Sequence, residues 1–389
     1  MTRNIGTALL VLGACASTVL ASAQATSSPT EDSQVRNNPV AFVYVSSVLS
    51  NGSLIQAYTA ATNGTLVATV GTYFNGQNIS YMAVNDQYLF ATDGVNIDSF
   101  SISPKDGALT EVSSINAQAL NQDGCGGPTY LFLDHTGSTL YDLDYLADCA
   151  NNGYQAFSGT YSNALNYLDT APASAGNLGP LSFIGNNVYG YNASCYRVSP
   201  NFYVYQRASD GTLSPNYSIN PALPQAPTGE EFCPGSVAAD PYDHLAIAMA
   251  PIFDSNGQPA GLTRLSVYTA DSTGNITTSS TYSNMPKTAA GTVNDIWMSP
   301  SGRLLAVAGS KGLQVFHFNG ANPITDYTGL LTTDAITTVF WDKANHLYAL
   351  SKSAGKLYVF TVTPSSAKEA AGSPYAIANP IYLSVLPRP

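Results

Sequence analysis

Six oxygen-bearing side chains are the first candidates for chemistry in this sequence. We expect them to share one face of the folded chain, because they fall in loops or at strand entries: Asp123, Glu230, Glu231, Asn294, Asp295 and Asp334. Carboxylate and amide oxygens that converge on a channel are ligands that suit Ca²⁺. A cation held there can polarise a carbonyl and activate water. Because Asp and Asn in turns often bond to their own backbone, a capping role is the alternative interpretation.

The cysteines predict disulfide bonds on the same face. Apart from Cys15, the chain has an even number of cysteines, as an oxidising compartment favours: Cys125, Cys149, Cys195 and Cys233. Pairing each cysteine with its neighbour in that order closes loops of about 25 and 39 residues, each worth about 3 to 4 kcal/mol. Such bridges either only stabilise the fold or also fix the loops that shape a ligand site. Zinc is disfavoured because the sequence contains no Cys-x-x-Cys.

The histidines and aromatic residues carry weaker signals. His135, His244 and His346 follow strands on the opposite face, and His317 lies within a strand, so we expect ordinary surface or packed histidines. Several aromatic side chains near the loops could stack on a sugar ring, although packing between sheets is the favoured interpretation. These residues are Tyr130, Tyr145, Tyr191 and Trp297.

Charge and missing motifs exclude several function classes. The chain has 14 Lys and Arg against 25 Asp and Glu, a net charge of −11, which argues against nucleic-acid partners. There is no Gly-x-Ser-x-Gly, no Gly-x4-Gly-Lys-Ser/Thr, no His-Glu-x-x-His and no Cys-x-x-Cys-His. Serine hydrolase, nucleotide-binding, zincin and haem chemistry are therefore disfavoured.

The N-terminus predicts export. Residues 1–25 resemble a secretory signal, with an apolar stretch followed by small-x-small cleavage sequences ending at Ala23 and Ala25. Leu12-Gly-Ala-Cys15 also resembles a lipobox, which would place a lipid on Cys15. Residues 26–39 indicate a flexible leader, and no later stretch has the roughly 18 apolar residues of a membrane span. We expect an extracellular or periplasmic monomer, either free or lipid-anchored.

One short element recurs seven times between residues 40 and 387, as a four-residue core that ends in an aromatic residue. Its copies are Ile55–Tyr58, Ile97–Phe100, Tyr154–Phe157, Phe202–Tyr205, Leu265–Tyr268, Leu313–Phe316 and Leu357–Phe360. Most copies precede a turn such as Asn63-Gly or Asp106-Gly and a second short strand, which predicts β-hairpins.

A second strand recurs upstream of each hairpin at spacings of 43 to 59 residues. Its copies align on Tyr81, Tyr130, Leu181, Val237, Ile296, Val339 and Tyr382. Two hairpins per period form a four-stranded antiparallel sheet, and radial repetition of that sheet predicts an all-β, seven-bladed β-propeller. The last inner strand, Ile381–Val385, has no blade of its own, so we expect it to pair into the N-terminal blade.

These strands and turns resemble the lactonase-like seven-bladed propellers, which include 6-phosphogluconolactonase-like and YVTN-type proteins. The resemblance is carried by Phe42-Val-Tyr-Val-Ser46, Ile55–Tyr58 and Asn63-Gly-Thr-Leu66, and covers about Val40 to Pro387. The resemblance implies basic and histidine residues around the central opening, as in the enzymes of that family. The closing strand here reads Asn379-Pro-Ile-Tyr382 with neither, which disfavours a phosphorylated substrate because phosphate needs Arg or Lys.

Two functions are compatible with these sequence features. The resemblance implies a hydrolase that opens a sugar or aromatic-acid lactone at the loop face, with a divalent cation such as Ca²⁺ as a candidate cofactor. The missing basic and histidine set favours instead a non-catalytic extracellular propeller that binds a glycan, a peptide or a partner protein.

Overall fold

The computed structural model describes residues 38–388, except 70, 76–77, 121–125, 145–151, 174–175, 178, 186–187, 197–198 and 254–255. The predicted signal peptide and most of the predicted leader lie outside the described residues, as do Cys15, Asp123, Cys125, Tyr145 and Cys149. Within the described part of the chain, no helix is long and apolar enough to cross a membrane.

The chain forms seven antiparallel sheets, so the predicted all-β propeller is confirmed. Blades 1 to 3 contain β1 (Ala41–Leu49), β2 (Gly52–Ala60), β3 (Leu66–Ala68), β4 (Thr72–Asn75), β5 (Tyr81–Val84), β6 (Tyr88–Thr92), β7 (Asn96–Ile102), β8 (Leu109–Asn116), β9 (Pro128–Leu133), β10 (Leu140–Asp144), β11 (Gly153–Ser158) and β12 (Asn166–Pro172). A short 3₁₀ helix, Gln118–Leu120, follows β8.

The later blades repeat the same order. Blades 4 and 5 contain β13 (Ser182–Phe183), β14 (Tyr189–Tyr196), β15 (Ser199–Arg207), β16 (Leu213–Pro215), β17 (Glu230–Ala239), β18 (His244–Phe253), β19 (Arg264–Ala270) and β20 (Ile276–Thr278). Blades 6 and 7 contain β21 (Val293–Met298), β22 (Leu304–Gly309), β23 (Gly312–Asn319), β24 (Asn322–Thr332), β25 (Thr338–Trp341), β26 (His346–Ser351), β27 (Lys356–Thr363), β28 (Ser366–Glu369) and β29 (Tyr375–Ala376), and the chain ends with β30 (Pro380–Pro387).

The C-terminal strand closes the ring as predicted. β30 pairs antiparallel with β1, with Val385 opposite Val43, so that blade 1 has the order β3-β2-β1-β30. β30 is therefore the inner strand of blade 1, and the other inner strands are β5, β9, β13, β17, β21 and β25. Closure removes the free sheet edge that an open ring would expose.

The core is divided among the blade interfaces. Each of the seven hydrophobic clusters joins two neighbouring blades, and one of them also packs the closing strand against blade 7. Alternate residues of each strand face opposite neighbours, which follows from the two-residue period of β-structure. The aromatic ends of the recurring hairpin strands fill these interfaces, which explains why the repeat is visible in the sequence.

A tyrosine on the second strand of some blades is bonded to the outer turn of the next blade. The Tyr44 hydroxyl donates to the Gly107 carbonyl over 3.0 Å, Tyr141 donates to Gly211 over 2.7 Å, and Tyr191 donates to Gly274 over 2.9 Å. All three glycines have positive φ. These glycine turns, of which Asp106-Gly107 and Asp210-Gly211 are Asp-Gly turns, therefore serve as contacts between blades as well as hairpin turns.

We expect Gly107→Ala to lower the free energy of unfolding by about 2 to 5 kcal/mol. Left-handed backbone costs a non-glycine residue about 1 to 2 kcal/mol, and a Cβ at Gly107 would also lie 2.9 Å from the buried ring of Phe42. Gly94 is the matched control, because its φ is +91° and nothing lies within 4 Å of its added Cβ. Denaturant unfolding should show the smaller, backbone-only loss for Gly94→Ala, and equal losses would contradict the packing role of Gly107.

Candidate functional site

The centre of the propeller is lined by a row of aromatic side chains from the inner strands of blades 6, 7, 1, 2 and 3. In that order they are Trp297, Phe340, Tyr382, Tyr81 and Tyr130. Successive ring centroids are 4.6, 6.4, 4.8 and 4.6 Å apart. On blade 4, by contrast, Ser182 accepts a 2.9 Å hydrogen bond from the Ala239 amide of blade 5. We call this aromatic row and the space beside it the central channel.

Asp295 brings a carboxyl group to this channel. The β21–β22 register shifts between Val293 and Asp295, and such a bulge redirects the side chains of its strand. Asp295 Oδ2 accepts a 3.0 Å hydrogen bond from the backbone N–H of Val339, which joins blade 6 to blade 7. Burial raises the pKa of Asp295 to about 7, although the N–H groups of Val339 and Ile296 favour the charged form. A carboxyl group with this pKa can exchange protons near neutral pH.

The charge of Asp295 affects the pKa values of two nearby tyrosine hydroxyls. Burial, followed by the Asp295 charge, raises the pKa of Tyr382 far above its usual range. Burial and a hydrogen-bonded Tyr130 do the same to the pKa of Tyr81, with a smaller contribution from Asp295. These phenols stay protonated and serve as hydrogen-bond donors. A proton acceptor near hydrogen-bond donors among partly buried aromatic side chains is an arrangement that can activate water against a carbonyl.

Two other predicted residues hold loops at the same end of the channel. Asn294 Nδ2 donates to the Ile336 carbonyl over 2.8 Å. Asp334 accepts bonds from Lys356 Nζ at 2.9 Å and from the Tyr358 hydroxyl, and these two partners hold its pKa below the usual range. Both side chains therefore make contacts with residues distant in the sequence rather than with their own turn.

Glu230 and Glu231 lie in a strand rather than in a loop. The inner strand of blade 5 aligns on Val237 in the repeat, but β17 begins at Glu230 because it continues to pair with the long strand β18 as far as Phe253. The predicted Cys195–Cys233 disulfide is present, with a Cα–Cα distance of 5.3 Å, and ties this extension to β14. Among the described residues, no three His, Cys, Asp or Glu side chains come together as metal ligands.

His135, His244 and His346 lie at the opposite end of the strands and His317 lies within β23, as the repeat predicts. His244 Nδ1 is 2.8 Å from Asp240 Oδ2, and the buried His346 Nδ1 is 2.7 Å from Asp342 Oδ2. Near this end is a depression of about 530 Å³ whose lining includes His135 and the 42% exposed Trp297. The buried Tyr191 packs between blades 4 and 5, as the packing interpretation expects.

Two channel residues are absent from the candidates that the sequence indicates. Tyr81 and Tyr382 both anchor the inner-strand alignment, yet neither was a site candidate. The signal was available, because Tyr81, Tyr130 and Tyr382 occupy corresponding positions in blades 2, 3 and 1. A residue type that recurs at the channel position of neighbouring inner strands must form one continuous surface in a closed ring.

Comparison with known proteins identifies the architecture. No protein-family model and no curated protein matches this chain. Among solved structures, the periplasmic gluconolactonase of Pseudomonas aeruginosa is 14% identical, with a TM-score of 0.63 over 90% of this chain and 99% of that one. A Lactobacillus plantarum protein is 16% identical, with a TM-score of 0.63 over 90% and 100% of the two chains. The predicted similarity to lactonase-like seven-bladed propellers is thus confirmed as a similarity of fold.

Proposed function

We propose that this chain is an exported hydrolase of uncharged lactones, with Asp295 as its general base. The observation that carries the proposal is the Asp295 carboxyl group, with a pKa of about 7, beside tyrosine hydroxyls in the aromatic channel. The fold supports the proposal as well, because the similar Pseudomonas protein is a periplasmic gluconolactonase.

The chemistry needs only groups present in the channel. The Asp295 carboxylate takes a proton from water while the water oxygen bonds to the lactone carbonyl carbon, and the carbonyl oxygen becomes an oxyanion. The hydroxyls of Tyr81 and Tyr382 donate hydrogen bonds to that oxyanion. When the ring C–O bond breaks, the departing oxygen takes the proton back from Asp295. The product is an open-chain hydroxy acid, and Asp295 is regenerated as a carboxylate.

The composition of the channel indicates which lactones fit. The seven inner strands, with the bounds given above, contain no Lys, Arg or His, so they offer no cation to a phosphate group. The aromatic row offers ring faces and edges, which suit sugar rings and aromatic acids. We therefore expect neutral sugar or aromatic-acid lactones to react and phosphorylated sugar lactones to react poorly.

The test is proton release from a panel of lactones incubated with the purified protein, after subtraction of spontaneous hydrolysis. The panel includes gluconolactone, its 6-phosphate and dihydrocoumarin. A catalysed rate on a neutral member supports the proposal. Rates equal to the buffer blank for every member, with a normally folded protein, would overturn it.

The exposed Trp297 favours glycan binding as the second candidate function. An exposed indole beside a depression is a common platform for a sugar ring. The chain has two tryptophans, and the other, Trp341, is buried with its Nε1 bonded to the Trp297 carbonyl. An oligosaccharide that binds Trp297 should change the fluorescence of the wild type but not of Trp297→Phe. Binding that survives in Asp295→Asn, without lactone turnover in the wild type, would favour this function.

A further inference from the structure

Two carboxyl groups other than that of Asp295 lie in the interface between blades 2 and 3. Asp142 and Asp144 are 0% and 1% exposed, and they occupy alternate positions of β10. They share one side of the strand, because alternate residues face the same way. Leu140, two positions before Asp142, packs in the cluster that joins blades 2 and 3. Both carboxyl groups are therefore removed from solvent on one surface.

Gln155 completes this group. It lies directly opposite Asp142 in the β10–β11 register and is 0% exposed. Its Nε2 donates to Asp144 Oδ2 and to the Ala117 carbonyl, each over 3.2 Å. Since both partners are acceptors, the amide nitrogen must face them, and this leaves Oε1 on the other side of the amide.

Three oxygens of this group are buried without a partner. Neither carboxylate oxygen of Asp142 makes a hydrogen bond of acceptable geometry, and neither does Gln155 Oε1. Unpaired buried charge is costly, and buried polar atoms almost always find a partner. The group therefore has an excess of oxygen acceptors.

We propose that Asp142, Asp144 and Gln155 bind a hard divalent cation, for which Ca²⁺ is the best match. Two carboxylates balance a charge of +2, and carboxylate and amide oxygens are the ligands that Ca²⁺ prefers. Asp144 Oδ1 also accepts a 2.7 Å hydrogen bond from Gly127 N. The cation would thus brace the chain where it enters β9, the strand that carries Tyr130. The described candidate calcium ligands from the sequence lie elsewhere, in or next to blades 5 to 7: Glu230, Glu231, Asn294, Asp295 and Asp334.

The experiment measures the full chain after removal of metal ions, with and without added Ca²⁺. At about 100 times the dissociation constant, Ca²⁺ should raise the unfolding midpoint by about 2 to 5 °C. Equilibrium dialysis should find one Ca²⁺ per chain. Asp142→Asn should abolish the shift, and its metal-free midpoint should match or exceed that of metal-free wild type, because one buried charge is gone.

Two controls locate the cation. Asp271→Asn changes an exposed turn residue and should keep the full Ca²⁺ shift. The double variant Glu230→Gln and Glu231→Gln should also keep it. A shift that survives Asp142→Asn but disappears in the double glutamate variant would overturn the proposal. If Asp142→Asn does not fold, the same Ca²⁺ shift is measured on Asp144→Asn, which should lose it. Equilibrium dialysis of the wild type then tests binding directly. A wild type that binds no Ca²⁺ would refute the site.

Discussion

Asp295→Asn should lower kcat for lactone hydrolysis by about 10² to 10⁴-fold, the usual contribution of a positioned general base. Asparagine keeps the shape of the side chain and can still accept the 3.0 Å hydrogen bond from Val339 N. It cannot take a proton from water. KM should change little, because the aromatic row, which we propose as the substrate contact, is unaltered.

The pH profile distinguishes a base from a structural residue. The wild-type rate should rise with pH through about 7, as the Asp295 carboxyl group ionises. The residual rate of Asp295→Asn should lack this step. Proton release against pH gives both curves directly.

The stability of the two proteins provides an independent check on the pKa of Asp295. The pKa rises from 3.8 in the unfolded chain to about 7 in the folded protein, so the folded state binds the extra proton in between. This contribution to stability is fully present below about pH 4 and is lost as the pH rises through about 7. The difference in unfolding free energy between wild type and Asp295→Asn should change over this window.

Asp334→Asn is the matched control for the catalytic variant. Asp334 is also a loop-face aspartate, but it is bonded to Lys356 and Tyr358 rather than placed in the central channel. Its replacement should leave kcat within about twofold. Equal losses for Asp334→Asn and Asp295→Asn would assign the effect to general disturbance of the face and remove Asp295 from the base role.

Removal of the Cys195–Cys233 disulfide should lower the free energy of unfolding by about 4 kcal/mol. The bridge joins residues 38 apart, and the chain-entropy relation assigns this amount to a loop of that size in the unfolded state. The measurement is denaturant unfolding of Cys195→Ala/Cys233→Ala. Lactone turnover at low denaturant should persist, because neither cysteine belongs to the aromatic row or to its hydrogen-bonded groups.

Single variants show whether the loss belongs to the bridge. Cys195→Ala and Cys233→Ala alone each break the same bond, so each should lose about as much as the double variant, with strong non-additivity. Additive losses would instead indicate that each side chain acts through its own packing. Reduction of the wild type should lower the free energy of unfolding by at least as much as the double variant loses, because it also opens the predicted Cys125–Cys149 bridge.

The fold could be predicted because the residues that specify each hairpin lie close together in the sequence. Each hairpin is recognisable from alternating apolar residues and a glycine turn, as in Ile97–Phe100 followed by Asp106-Gly107. Seven copies of such a unit cannot each bury both faces alone, so they must stack against one another. The closing strand β30 was predictable for the same reason, since only an inner-strand position in blade 1 remained for it.

The start of β17 could not be read from this repeat. Glu230 and Glu231 interrupt the apolar pattern, yet they pair with β18 because that strand is long and because Cys233 is bonded to Cys195. Both constraints come from residues distant in the sequence. A segment that is fixed by pairing with a longer strand can form a strand without an alternating apolar pattern.

The amino-acid sequence alone specified the number of blades, the closure and the Cys195–Cys233 pair, and it also predicted a set of candidate oxygen ligands that included Asp295. The folded arrangement was needed to distinguish among those oxygens. Asp295 differs from Asp334 because ring closure buries it beside Tyr81 and Tyr382, whereas Asp334 stays at the mouth with Lys356. Desolvation and proximity across blades depend on three-dimensional packing, and no spacing along one chain encodes them directly.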